Sequence, residues 1–352
     1  MQYAIPVRGG RFRFPMIDYF IYSPSSTRQS LRKLPPLGGT IQKIQARVEA
    51  EGIRASKQTL HRMEFLDIGI IVRSRNDFAV AELVVDVTEK VARPEVSVFS
   101  PAVSERWVLK KPRVIPVSGN DDLDMEQVLW YWETDAVVPW GNYLCWVDYS
   151  AGIMICNVFH EDPDILFLEL PAKQHCLNRE DGIGKGNMTA YHTLGTTNNG
   201  KDLKFAFVLW NRAVAPDRDS SDFTVITWKL KVEGTSMLWI DDTQITSSDL
   251  WLQDDFAPIP RDLLLHPTFS VNDPNEVSFV LEHEPTELED GTYDAAQIWM
   301  VSVDMLIKKL KSSVLYVTEQ EEFTPDELFC GSDTSTPPNN GQKNILICIL
   351  RQ

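Results

Sequence analysis

Residues capable of chemistry are plentiful in this sequence, but their spacing rarely lets them converge. His160-Glu161-Asp162, with Asp164 close behind, gathers an imidazole and three carboxylates, the groups a metal ion or an acid–base pair would use. Successive residues of a turn point in different directions, and Pro163 marks a turn, so turn chemistry accounts for the group better. His61, His175, His192, His266 and His283 form no H-x-x-x-H pair, and no serine sits in a G-x-S-x-G elbow. Gly182-Ile183-Gly184-Lys185-Gly186 has the glycines and lysine of a phosphate loop but lacks the Walker ending, and reads as a rim loop using positive backbone angles. Two Trp-x-Asp pairs, Trp146 with Asp148 and Trp239 with Asp241, remain. Residues two apart share a face of a strand, so each Asp is expected to accept hydrogen bonds at a strand end while its Trp packs between layers. A glycosidase-like site would need Asp148, Asp241 and Asp304 to converge within about 5 to 10 Å, the separations carboxylate pairs use. No residue is assigned a catalytic role.

Cysteine usage and charge narrow the classes further. The five cysteines (Cys145, Cys156, Cys176, Cys330 and Cys348) have no C-x-x-C spacing, so neither a zinc site nor a disulfide framework is expected, and no metal or cofactor is assigned. Cys145 and Cys156 read as small buried apolar residues. A reducing compartment, cytosol or nucleus, follows, and residues 1–14 contain no apolar stretch of the kind a secretory signal uses. No run of apolar residues is long enough for a transmembrane helix. A formal charge of -16 opposes binding to nucleic acid or an anionic membrane, which leaves a protein as the expected partner. Lys110, Lys111 and Arg113, near Arg106, form a short basic group read as a solvated strand end.

The elements that would position these residues are short strands separated by turn residues. Tyr143 to Asp148, Gly152 to Val158 and Ile165 to Pro171 make one strand group. The same grammar returns over Leu203 to Trp210, Phe223 to Leu230 and Met237 to Ile240, then over Val277 to Glu282, Gln297 to Asp304 and Ser313 to Val317. Asp67 to Ser74, Asp77 to Asp86, Glu95 to Ser100 and Arg106 to Lys110 supply four strands of an earlier copy, whereas Ile17 to Tyr22 with Ser30 to Pro36 supply only part of one. Asn178 to Lys201 and Ile259 to Asn275 read as outer strands or rim loops. Regular recurrence predicts an all-β, β-propeller-like fold of about five to six blades, with at most one or two short helices. Ser302 to Lys311, with Val303, Leu306, Ile307 and Leu310 at helical spacing, is the best helix candidate.

Residues 1–318 are thus expected to form the propeller-like domain, 319–343 a flexible acidic and polar linker, and 344–352 a terminal strand. That strand either pairs with the incomplete first group and closes the ring, or leaves the gap to Tyr3 to Val7. Binding anchors are sought among aromatic residues beside acidic ones, namely Trp130, Trp132 and Trp251. Arg212 and Arg218, in the loop from Asn211 to Asp222, are the candidates for recognising an acidic motif.

The run from Trp140 to Val158, ending in Leu168-Glu169-Leu170-Pro171, resembles the signature of the plant family called domain of unknown function 1618, abundant in grasses. Asp18 to Tyr22, Leu31 to Pro36 and Ile298 to Asp304 are similar to that family's flanking elements. The resemblance implies kinship with F-box-associated propellers and no established enzymatic activity. A non-enzymatic interaction scaffold is the function expected from it.

Overall fold

The computed structural model describes residues 5–6, 12–13, 17–23, 30–35, 65–74, 77–87, 91–117, 123–171, 188–210, 222–234, 236–256, 258–283, 296–316 and 346–351. These residues are mostly β. β1 (Ile5–Pro6) and β2 (Phe12–Arg13) pair only with each other, and the remaining strands form five larger sheets.

Sheet I has the order β22–β3–β4, joining β3 (Ile17–Ser23) and β4 (Ser30–Lys33) to β22 (Leu346–Arg351). Sheet II is a meander of β5 (Ile68–Val72), β6 (Phe78–Val87), β7 (Ala92–Phe99) and β8 (Val108–Lys110). Sheet III runs β10 (Ala136–Trp140), β11 (Tyr143–Asp148), β12 (Gly152–Cys156), β13 (Ile165–Glu169), and β9 (Val114–Pro116) lies parallel against β13. Sheet IV comprises β14 (His192–Thr197), β15 (Asp202–Trp210), β16 (Phe223–Glu233) and β17 (Ser236–Thr246). Sheet V comprises β18 (Leu264–Phe269), β19 (Glu276–His283), β20 (Gln297–Asp304) and β21 (Lys309–Tyr316).

Apolar cores lie between successive sheets. Ile21 and Leu34 of the first meet Phe78, Val80 and Phe99 of the second. The opposite face of sheet II, with Ile71, Ala81 and Leu83, packs on Leu144, Trp146 and Met154 of sheet III. Cys145, Val147 and Ile155 turn the other way, onto Leu203, Phe205 and Trp228. Val208, Phe223 and Val225 then meet Phe279, Leu281 and Val301. Because strand side chains alternate between faces, a sheet between two others must be apolar on both. β12 accordingly is buried at all five positions. At Gly69 the approach is so close that an added Cβ would lie 2.5 Å from Val137 Cγ1, so only glycine lets β5 reach sheet III there.

The Trp-x-Asp expectation holds for both tryptophans and for Asp148, but Asp241 lies in mid-strand rather than at a strand end. Trp146 is fully buried, and its indole N–H donates to the Asp67 carbonyl of the preceding sheet's entry at 2.8 Å. Trp239 donates likewise to Glu169 O at 2.9 Å, and Trp107 to Pro35 O at 2.7 Å. Trp140 reaches forward to Lys201 O at 3.0 Å. Each bond satisfies the one polar atom of a large apolar side chain while fastening two sheets.

Three expectations need correction. Ser302 to Lys311 is not a helix: it covers the end of β20, a turn at 305–308 and the start of β21. Val303 and Leu310 are cross-strand partners, while Leu306 and Ile307 stand exposed in the turn, so the apparent helical spacing came from a hairpin. The described residues also hold three short α-helices rather than at most two: α1 (Met125–Trp130), α2 (Met188–Tyr191) and α3 (Ser247–Trp251). All lie between sheets, and side-chain caps start α1 and α3. Asp124 Oδ1 accepts from Gln127 N, and Thr246 with Asp249 forms a reciprocal capping box. Lastly, the stretches read as rim or outer strands contain β14 and β18, each the first strand of its sheet.

Candidate functional site

Meander order sorts the connections by edge. First-to-second and third-to-fourth links fall on one edge of each sheet, second-to-third links and sheet-to-sheet crossings on the other. The first edge carries tight turns at 141–142, 198–201, 270–275 and 305–308. These turns meet one another: Asn199 N donates to Val271 O at 2.9 Å, and the buried Lys204 ammonium, paired with Asp242 at 2.7 Å, donates to Pro274 O at 2.6 Å. The opposite edge receives the crossings that hold α1, α2 and α3.

Sequence candidates separate sharply on that second edge. Within α1, Leu129 is buried between sheets II and III, and Trp132 just beyond packs edge-on to Phe167, centroids 6.5 Å apart, while donating to Thr134 Oγ1 at 3.1 Å. Trp132 is therefore a packing residue. Trp130 between them is 40% exposed and Tyr131 is 72% exposed. Asp124, Glu126 and Glu133 flank the pair on the exposed surface. Trp251, in contrast, leans edge-on against Phe223 in the core between sheets IV and V, so the anchor expectation fails there. Its neighbour Leu252, 85% exposed, escaped notice because a single leucine carries no spacing signal. Arg212 and Arg218 lie outside the described residues, as does the Gly182–Gly186 loop.

The three carboxylates do not share a site. Asp148, at the end of β11, accepts from Glu133 N at 3.0 Å and from Ser150 N and Oγ at 2.9 and 2.5 Å. Asp304, at the end of β20, caps the 305–308 turn by accepting from Leu306 N and Ile307 N. These strand ends belong to opposite edges, and Asp241 stands exposed in mid-strand on β17.

His160-Glu161-Asp162 is a turn, with His160 Nδ1 donating to Asp162 O at 2.9 Å. It is clamped from sheet II: Lys110 donates to the carbonyls of Val158 and His160, and Arg73 sits 3.6 Å over the Phe159 ring. Arg113 pairs with Asp164, and Lys111 with Glu95 at 2.7 Å. Of the basic group, only Lys110 is drawn into the sheet II–III contact, where partial burial lowers its pKa, while the Lys111 and Arg113 side chains are 70% and 83% exposed, as expected of a solvated strand end. Among the described residues no group of three His, Cys, Asp or Glu side chains could hold a metal ion, and no helix is long and apolar enough to cross a membrane.

Two buried titratable groups complete the electrostatics. His192 lies stacked on Phe207, centroids 4.5 Å apart, with Tyr149 on another side at 5.6 Å, and its Nδ1 donates to Met188 O. Burial pushes its pKa down to about 4. Cys145 and Cys156 are buried thiols in opposite cores, and burial holds both pKa values up, that of Cys156 at about 12. Neither carries thiolate near neutrality.

These features describe a stack of antiparallel sheets with one compact and one elaborated edge. Residues 146–278 match the model of a family described as "Protein of unknown function (DUF1618)", the family whose signature the run from Trp140 to Pro171 resembles. The match runs from β11 into β19 and includes the whole of sheet IV, while the flanking segments of the resemblance lie outside it. No curated protein matches the chain.

Proposed function

We propose that the five sheets are blades of a β-propeller and that the protein is a non-enzymatic scaffold, holding a protein partner on the edge that carries the long connections. Propellers bind through loops on a rigid frame. The observation that carries the reading is the exposed pair Trp130–Tyr131, held between Leu129 and Trp132, both anchored in the core. An aromatic anchor fixed in this way loses little freedom on binding, which is what favours hot-spot residues. Asp124, Glu126 and Glu133 around it, within a chain of charge -16, suit a partner segment with an apolar residue among basic ones.

The test compares proteins captured from the source tissue by the wild type, by a Trp130→Ala/Tyr131→Ala double variant, and by Leu306→Ala on the opposite edge. A partner retained by wild type and Leu306→Ala but lost by the double variant is the expected result, with melting temperatures unchanged. Undiminished capture by the double variant overturns the assignment.

A further inference from the structure

Sheet V presents two faces of different fate. Its inner face is packed against sheet IV through Val277, Phe279, Leu281, Val301 and Val303. On the other face the cross-strand row Leu265–Val280–Met300–Val314 is also apolar. In the next row Ile298 and Tyr316 extend the apolar surface on β20 and β21, with Glu282 beside them on β19. Met300 is 54% exposed, Val314 59% and Tyr316 51%. A continuous apolar row across a whole sheet differs from scattered surface leucines, because such rows elsewhere in this molecule are covered by the next sheet.

Sheet I supplies the matching surface. Tyr19 and Ile21 face sheet II, so Phe20 and Tyr22, together with Leu31 opposite Tyr22, face away from it. Leu31 is 56% exposed. The order within sheet I is decisive: β22 sits beside β3 at the sheet edge, the place that β5, β14 and β18 take in their own sheets. The step from β21 to β22 therefore repeats the step made between the preceding sheets, from the last strand of one to the first strand of the next. The competing filler does not fit, since Ile5–Pro6 pairs with Phe12–Arg13 and not with β3.

We infer that the apolar outer face of sheet V is the docking surface for sheet I of the same chain, so that β22, covalently continuous with sheet V and hydrogen-bonded within sheet I, locks the ring. The inference rests on the propeller reading but not on the partner proposed above.

Thiol labelling of Met300→Cys, quantified on the peptide that contains it, tests the cover, with Leu252→Cys as the open reference and light scattering reporting mass. Closure gives a monomer in which position 300 labels about tenfold more slowly than position 252, as protection by a docked element requires. Adding Val314→Arg to Met300→Cys should remove that protection. It should also speed amide exchange in residues 17–23 and 346–351, while sheet IV exchanges as before. Equal labelling at 300 and 252 overturns the inference, and so does a dimer whose dissociation alone uncovers position 300, because the occupant is then a second copy. Capture of a partner through Trp130 is indifferent to these outcomes, so the two proposals fail separately.

Discussion

Sheets III and V have the same meander but opposite burial patterns. β12 is buried at every position, whereas β19 alternates buried with part-exposed residues from Val277 to Leu281. Strand propensity is similar in both; neighbours differ. Sheet III has a described apolar core on each face, and sheet V has one on a single face. A sheet's place in the stack, more than its own sequence grammar, sets how much each side chain contributes.

The sharpest way to break this comparison is to truncate a large side chain in sheet III. Trp146→Ala removes a fully buried indole and its bond to Asp67 O, and should cost about 3 to 5 kcal/mol in denaturant unfolding. An unchanged midpoint would show that the II–III core is not where stability resides. The next effect is one of pH at the III–IV interface. His192 has a folded pKa of about 4 against 6.5 for the free group, so the unfolded chain takes up the proton first. Its contribution is complete above about pH 6.5 and falls away as pH drops toward about 4, a loss of about 3 kcal/mol, while His192→Phe should flatten that part of the curve. Identical pH profiles for the two proteins would remove His192 from the account.

Smaller changes sharpen the contrast. Gly69→Ala forces a methyl against Val137 and Leu144 and should cost about 1 to 3 kcal/mol through overpacking. In sheet V, Met300→Ser should cost about 1 to 2 kcal/mol if sheet I covers the outer face as inferred, since the substitution then removes apolar area from a covered row. A change below about 0.5 kcal/mol would show that this face stays open in solution and would count against closure by sheet I.

Legibility in the sequence followed the same division. Strands buried on both faces, such as Gly152–Cys156 and Phe205–Val208, were visible as apolar runs, and the alternating 277–282 strand was visible as alternation. The first strands of sheets IV and V were not. β14 reads His-Thr-Leu-Gly-Thr-Thr and β18 contains His266 and Pro267, with a register shift between Leu265 and Thr268. These strands lie close to one another as well as to their own sheets, so small and polar residues replace the hydrophobic pattern. The false helix at 302–311 arose because a tight hairpin places apolar residues at intervals a helix also uses. For the candidate site, aromatic content pointed to the correct segment, but which of Trp130, Trp132 and Trp251 faces solvent depends on helix phase and on neighbours distant in sequence.

Three of the four indole bonds between sheets have a direction in time, the exception being Trp140, whose acceptor Lys201 comes later. Trp107, Trp146 and Trp239 each donate to a carbonyl earlier in the chain, at Pro35, Asp67 and Glu169. For these three the acceptor has left the ribosome before its donor, so sheets II, III and IV can each be fastened to the preceding sheet on emergence. Sheet I departs furthest from this order, because β3 finds its neighbour β22 only after sheets II to V have been made.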